Sequence, residues 1–149
     1  MMDKTAILDA LRSAGRNDAQ AFRARAINDN LSGTAIIAEE QKVPAWRQGV
    51  YSEIGAPVRH KGQVYKLWQA HDSTGHDDWS PDKAVSLWDI CHTTDPGKAK
   101  TYIPPQGSRG LYQVGECMRW TDGQIYRSII DNNAHTPEAY PQGWEAVTV

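Results

Sequence analysis

Val58-Arg-His-Lys-Gly-Gln-Val-Tyr65 and Cys117-Met-Arg-Trp-Thr-Asp-Gly-Gln-Ile-Tyr126 are the two stretches that decide the fold of this chain. Each places β-branched and aromatic residues on both sides of a turn, which is typical of a β-hairpin. We predict the turns at Lys61-Gly62 and at Asp122-Gly123. The second is the stronger type I′ signal, because Asp-Gly accepts positive φ at both central positions.

Landmarks around the two hairpins recur in the same order. The first copy has Tyr51, Gly55, Ser80-Pro81 and Trp88, and the second has Tyr112, Gly115, Thr136-Pro137 and Trp144. A repeated pattern of this kind predicts two related units with short strands. Units this small depend on large rings for packing, so we expect the repeated rings to lie in the cores. These are Tyr65, Trp88, Tyr126 and Trp144.

The first 43 residues differ in kind from the rest, because they are mostly helix formers with few aromatic residues. We predict three short helices. The first carries Ile7, Leu8 and Leu11 and ends at Gly15, the second opens with a capping box at Asn17 and Gln20, and the third covers 34–41. Helices this short need a partner for their apolar faces. A local cap on the next unit and an assembly interface through residues 3–43, including a homo-oligomer, are both open.

The predicted fold is therefore mainly β, with a helical N-terminal segment and two small β-rich units in tandem. We place the helical segment at residues 1–43, the first unit at 44–91, a linker at 92–109 and the second unit at 110–149. Asp95-Pro-Gly97 and Pro104-Pro-Gln-Gly107 indicate a linker without periodic structure. Such a linker lets the units face different ways.

Composition narrows the possible partners. The 149 residues carry a formal net charge of −2 with no basic stretch, so we expect neither a nucleic-acid nor a membrane partner. The amino terminus lacks the apolar core of a signal peptide, which predicts a soluble protein made in the cytoplasm. Cys91 and Cys117 have no metal-knuckle spacing; free thiols are the favoured interpretation and a disulfide the alternative.

The sequence lacks recognisable catalytic and metal-binding motifs. His71-Asp72-Ser-Thr-Gly-His76-Asp77-Asp78 collects imidazoles and carboxylates, but its glycine and lack of helical pattern favour a solvated loop over a metal site. The sequence contains no nucleophile elbow, HExxH motif or phosphate loop. We expect no enzyme, no catalytic residue, no metal and no cofactor.

The order of seven landmarks resembles the small chitin-binding type of carbohydrate-binding module found on bacterial chitinases. They are Trp46, Tyr51, Gly55, Val58, Gly62, Tyr65 and Trp88. Other phrases look similar to tail-associated proteins of bacteriophages and prophages: Tyr65-Lys-Leu-Trp-Gln-Ala-His71, Trp79-Ser-Pro-Asp82, Ser86-Leu-Trp-Asp-Ile90 and Asp131-Asn-Asn133. The resemblance covers residues 44–147. It implies short-stranded modules that bind a polysaccharide without cleaving it, on a protein that is associated with the virion or tail after assembly.

The chain departs from this family at the sugar platform. The relatives carry two adjacent Trp after the hairpin, and these positions are Gln69 and Ala70 here and Ile130 and Asp131 in the second copy. Strand alternation predicts that Trp68 shares the face of the missing ring.

The candidate carbohydrate-binding residues follow from that placement. An exposed ring with polar neighbours suits a sugar, whose C–H face stacks and whose hydroxyls bond. The candidates are Trp46, Trp68, Gln69, His71, Asp72 and Trp120, the last as an exposed contact of the second copy. Burial in a core is the competing interpretation for Trp46 and Trp68.

Two functions remain open at this stage. The first is a non-catalytic tail protein that recognises a cell-surface glycan by aromatic stacking. The second is a structural or assembly protein whose surfaces contact tail or fibre proteins.

Overall fold

The computed structural model describes residues 4–149 and shows one long amino-terminal helix followed by a β-rich region. Helix α1 spans Lys4–Asn28, helix α2 spans Gly33–Ala38, and the described residues form nine strands in three small sheets. The strands are β1 Val50–Tyr51, β2 Pro57–His60, β3 Gln63–Leu67, β4 His71–Asp72, β5 Trp88–Ile90, β6 Lys100–Thr101, β7 Cys117–Arg119, β8 Ile125–Ser128 and β9 Trp144–Val147. A helical amino-terminal segment followed by small β sheets is therefore confirmed.

Helix α1 runs unbroken through the two short helices that the sequence predicts. The expected end at Gly15 and restart at Asn17 are wrong, because one glycine inside an alanine-rich helix costs only about 1 kcal/mol. The helix ends where Asn30 adopts a φ of 46° and the Leu31 N–H donates to the Ala26 carbonyl at 3.1 Å. In this Schellman arrangement a left-handed residue lets the chain satisfy the last carbonyls.

Helix α2 and the 3₁₀ turn at Glu40–Lys42 occupy the third predicted helical segment. The Ser32 side chain accepts a hydrogen bond from the Ala35 N–H at 3.2 Å and caps α2. A buried cluster joins this part of the chain to the first large sheet. Its members are Phe22, Ala26, Ile36, Ile37, Val43, Val64 and Cys91. The range 22–43 thus contributes five side chains to the core.

The first half of α1 has a different environment. Ile7, Leu8 and Leu11 are 45%, 50% and 64% exposed, so this apolar face has no cover within the described chain. Within residues 4–149 no helix is both long and apolar enough to cross a bilayer.

Strands β2, β3 and β5 form an antiparallel sheet. Lys61 and Gly62 link β2 to β3 with φ values of 49° and 78°, as a type I′ turn requires, so this hairpin turn is confirmed. Side chains along β3 alternate between the two faces of the sheet, and each face packs against a different buried cluster. Val64 contacts the helical cluster, whereas Tyr65 and Leu67 pack with Trp88 in a second cluster.

Strands β7, β8 and β9 form the antiparallel part of the other large sheet. The β7–β8 hairpin is present, but its predicted type I′ turn is wrong, because Gly123 has a φ of 83° and Asp122 is not in the positive-φ region. Instead, the Trp120 N–H donates to the Gln124 carbonyl at 2.9 Å across a longer turn. Asp122 Oδ1 accepts the Gln124 N–H at 2.9 Å. The Asp side chain stabilises this wider turn by bonding the backbone two residues on.

The two large sheets share one backbone hydrogen-bond pattern. The Gly55 N–H donates to the Leu67 carbonyl at 2.9 Å, and the Gly115 N–H donates to the Ser128 carbonyl at 2.8 Å. The two glycines have φ angles of 90° and 92°. Each third strand begins with a buried tryptophan, Trp88 or Trp144, so the recurring landmarks hold matching places.

The segment 92–109 is more ordered than the sequence indicates. Strand β6 pairs in parallel with β7, and Thr93 bridges Cys117, so the prediction of no periodic structure is wrong there. The Gln63 Nε2 also donates to the Thr101 carbonyl at 2.9 Å, which ties the two sheets together. A short, non-local, parallel pairing leaves no local pattern to detect. The proposed unit boundaries stay predictions.

Candidate functional site

Trp68 is the most exposed large ring of the described chain, with 54% of its surface accessible. Strand β3 ends at Leu67, one residue before Trp68, so strand pairing does not fix Trp68, and the face predicted from strand alternation stays a prediction. Its position comes instead from the backbone, because the N–H groups of Trp68 and Gln69 both donate to the Leu87 carbonyl, at 2.9 and 3.1 Å. The indole stands just beyond the strand and faces solvent.

Arg109 supports the Trp68 ring from a part of the chain predicted to be linker. Its guanidinium carbon lies 4.8 Å from the ring centre, a cation–π distance. The Nε and Nη2 atoms of Arg109 donate hydrogen bonds to Asp89 Oδ1, at 3.0 and 2.6 Å. Nη2 also donates to the Trp88 carbonyl at 3.0 Å. Trp68 is therefore an exposed ring on a rigid base. Sequence spacing could not have identified Arg109, because it lies far from Trp68 along the chain.

The polar residues predicted to accompany Trp68 have other neighbours. The His71 ring stacks on Tyr51 at 5.6 Å and meets Trp88 edge-on at 5.7 Å, and its Nδ1 lies 2.8 Å from the Gln69 carbonyl. Asp72 accepts the Thr74 N–H at 2.9 Å. Hydrogen bonds from Thr74 lower the pKa of Asp72. The structure thus places His71 and Asp72 in the short strand β4 and does not bring their side chains to the Trp68–Arg109 pair.

The loop after β4 forms an aromatic stack that sequence analysis missed. His76 lies parallel to Trp79, with ring centres 4.0 Å apart, and Trp79 is edge-on to His71 at 6.3 Å. Asp77 bonds Gln48. Among residues 4–149 no three His, Cys, Asp or Glu side chains come together as a metal site.

Trp46 is half-buried and lies at one end of a cleft. Its backbone N–H donates to the Arg59 carbonyl at 2.8 Å, and its ring meets His60 edge-on at 5.5 Å. The Trp46 Nε1 is buried and has no hydrogen-bond partner among the described residues. The early Trp of the pattern is therefore part of a cavity wall.

Trp120, the candidate of the second copy, is also half-buried. It packs edge-on against Tyr102 at 5.0 Å, and its Nε1 donates to Glu138 at 3.4 Å. The position that matches Trp68 in the second sheet is Ile129, because Trp68 and Ile129 donate to the matching carbonyls of Leu87 and Gly143. Only the first sheet therefore presents an aromatic side chain at that position.

The two cysteines are free and buried. Burial raises the pKa of Cys91 to about 12 and also raises the pKa of Cys117. Both thiols therefore stay protonated near neutral pH and act as small apolar side chains.

Comparison with known proteins adds no assignment. No protein-family model matches the sequence, and no curated protein is significantly similar to it.

Proposed function

We propose that this protein binds a polysaccharide without cleaving it, by stacking sugar rings on Trp68. The observation that carries the proposal is the Trp68–Arg109 pair, an indole with 54% of its surface exposed and a guanidinium 4.8 Å from its centre. With the guanidinium over one face of the indole, the other face can stack on sugar C–H groups, and the guanidinium offers donors to sugar hydroxyls.

Rigidity of the pair favours binding. Two hydrogen bonds to Asp89 and one to the Trp88 carbonyl hold Arg109, and Trp68 follows a backbone anchored to Leu87. A side chain that is already ordered loses little entropy when a ligand stacks on it. Trp46 and Trp120, both half-buried, are proposed as secondary contacts.

The wider context of the proposal rests on the repeated sheets and the sequence resemblance. The matching hydrogen bonds at Gly55 and Gly115 support two small carbohydrate-binding-type modules in tandem. The phrases shared with phage tail-associated proteins support a tail protein that is made in the cytoplasm and carried on the virion. In that setting the bound polysaccharide belongs to the host surface.

The test compares Trp68→Ala with Ile129→Ala, the matching position in the second sheet. Both residues are exposed, at 54% and 45%, so both variants should keep the wild-type melting temperature. On a glycan array and in cell-wall pull-downs, Trp68→Ala should lose about thirtyfold in affinity or more, as expected for an aromatic hot spot, and Ile129→Ala should bind normally. Unchanged binding by Trp68→Ala would exclude this site.

The second candidate function is assembly within the tail or fibre. The exposed Ile7, Leu8 and Leu11 on α1 favour it, because an uncovered apolar helix face suits a protein partner, including another copy of this chain. Folded protein that binds no glycan would make assembly the better proposal.

A further inference from the structure

A groove lies between the first hairpin turn and the segment that leads into β6. It joins a cleft of about 500 Å³ to a second of about 560 Å³, with Lys61, Gln63 and Lys100 lining both. Small-ligand pockets measure about 300 to 1,000 Å³, so either cleft could hold a sugar unit. We call this feature the basic groove. It is defined by Arg59, Lys61, Lys98, Lys100 and Arg119, with Trp46 at one end.

The charges of the basic groove do not balance. Its five Lys and Arg side chains face two carboxylates, Glu40 and Asp82. Lys100 pairs with Glu40, and Lys61 Nζ lies 3.2 Å from Asp82 Oδ2. The groove therefore has three more cationic side chains than carboxylates, in a protein whose formal net charge is −2.

The three remaining cations are positioned but not neutralised. Arg59, Lys98 and Arg119 each donate to a backbone carbonyl oxygen, at 2.7, 3.5 and 3.4 Å. None of the three forms an ion pair with a carboxylate of residues 4–149. A carbonyl oxygen orients a cation and leaves its net charge available to a ligand.

Unsatisfied polar atoms collect at the same place. Gln63 is only 7% exposed and lines both clefts, and with Nε2 bonded to Thr101 its Oε1 has no donor. The Trp46 Nε1 likewise has no acceptor. Buried polar groups without partners are rare in proteins, so these two atoms mark a polar region of the groove that lacks hydrogen-bond partners.

We propose that the basic groove binds the oxyanion groups of an acidic polysaccharide, which makes the glycan of the proposed function an anionic one. This inference rests on that function and names its ligand class. The carboxylate or phosphate of the polymer lies against Arg59, Lys98 and Arg119, while a sugar ring packs on Trp46 and hydroxyls reach Gln63. Carboxylate and phosphate share this chemistry, since both accept charge-assisted hydrogen bonds.

A nucleic acid fits the groove less well. Single-stranded nucleic acids need a longer basic track and several rings that stack successive bases. In the two clefts of the groove, of about 500 and 560 Å³, the rings of Trp46 and His60 are half-buried and that of Tyr65 is buried, so none of these rings is fully exposed for stacking.

The experiment titrates the full-length protein with four probes by calorimetry. They are a short galacturonate oligomer, a short glycerol phosphate oligomer, a neutral galactose oligomer and a single-stranded oligonucleotide. The variant Lys98→Gln/Arg119→Gln removes two groove charges. The matched control Arg12→Gln/Lys83→Gln removes two charges at exposed positions outside the groove.

At least one acidic oligomer should bind more tightly than the neutral oligomer, and added salt should weaken it. The groove variant should lose about tenfold or more in that affinity, while the control binds as wild type. Comparison of the galacturonate and glycerol phosphate arms identifies the anion. The inference is overturned if neither acidic oligomer binds, if both variants bind alike, or if the oligonucleotide binds most tightly.

The same titrations separate this inference from the proposed function. If Trp68→Ala loses glycan binding while the groove variant binds the acidic oligomers as tightly as the wild type does, stacking at Trp68 stands and the groove assignment fails. If the groove variant alone loses acidic oligomers while Trp68→Ala binds every glycan normally, the groove stands and the Trp68 site fails.

Discussion

The imidazole of His92 stacks on the phenol ring of Tyr112, with ring centres 3.7 Å apart and planes 17° apart. His92 follows β5 of the first sheet, and Tyr112 packs against Trp144 in the second. The stack therefore links the two sheets. The His92 Nε2 donates to the Gly110 carbonyl at 2.9 Å, which suits a neutral imidazole.

This buried histidine predicts a loss of stability in mild acid. Burial lowers the pKa of His92 to about 4, against the smaller opposing effect of its hydrogen bond to Gly110. The unfolded chain binds this proton near pH 6.5, so between these values the unfolded state holds more protons than the folded state. The contribution of neutral His92 to the free energy of unfolding is therefore complete above pH 6.5. It declines by up to about 3 kcal/mol as the pH falls from about 6.5 to about 4. Urea unfolding at a series of pH values measures it.

His92→Gln is the control for that titration. A glutamine amide can still donate to Gly110 but does not ionise in this range. Carboxylates contribute equally to both proteins, so the variant should lose less stability between about pH 6.5 and 4 than the wild type does. Parallel stability curves would show that His92 does not cause the loss.

Two glycines in helices should respond oppositely to Gly→Ala substitution. A Cβ at Gly33 would lie 2.4 Å from the carbonyl oxygen and 2.8 Å from the nitrogen of His92, both backbone atoms. Gly33→Ala should therefore force α2 away from the sheet and cost about 1 to 3 kcal/mol or more. At Gly15 the added carbon would have no atom of residues 4–149 within 4 Å, apart from its chain neighbours and the backbone of its own helix. Gly15→Ala should raise the melting temperature or leave it unchanged, because alanine favours the helix. A melting temperature lowered equally in both variants would contradict the contact at His92.

Local patterns predicted the parts of the fold that local physics controls. The Lys61-Gly62 turn and the buried Trp88 and Trp144 follow from residue type and spacing alone. The continuous α1 did not, because the cost of Gly15 depends on the helix formers around it. Strand β6 depends on a pairing partner that no local signal indicates.

The candidate site divides in the same way. Strand alternation and the family resemblance favoured an exposed Trp68 over a buried one, although the strand ends before it. Arg109 and the basic groove were missed, because residues such as Arg59, Lys98 and Arg119 become neighbours only after folding. A sequence without a basic stretch can therefore still build a basic surface.

The two repeated tryptophans should differ when shortened to phenylalanine. The Trp144 Nε1 donates to the His135 carbonyl at 3.0 Å, whereas the buried Trp88 Nε1 has no partner among the described residues. Both substitutions remove the same ring volume, so the difference between their effects on the free energy of unfolding measures the contribution of the Trp144 hydrogen bond. Trp144→Phe should cost about 1 kcal/mol more than Trp88→Phe in chemical denaturation. An equal or reversed order would indicate that the indole hydrogen bond is unimportant. Substitution of either residue by alanine should cost about 3 to 5 kcal/mol.

The amino-terminal helix allows a test of assembly that leaves the core intact. Deletion of residues 1–43 would remove Phe22, Ile36 and Ile37 from the buried cluster, so a change in size would be confounded by unfolding. The exposed face of Ile7, Leu8 and Leu11 lies on the other half of the helix, and its replacement by serine spares that cluster.

We expect Ile7→Ser/Leu8→Ser/Leu11→Ser to reduce the molar mass measured by light scattering from that of an oligomer to that of one chain. The reason is that an apolar helix face is stabilised by burial, at roughly 25 cal/mol for each Å² removed from water. The control Arg12→Ser/Arg16→Ser changes exposed polar positions of the same helix and should keep the wild-type mass. Equal molar masses for the wild type and the apolar-face variant would show that this face does not hold copies of the chain together.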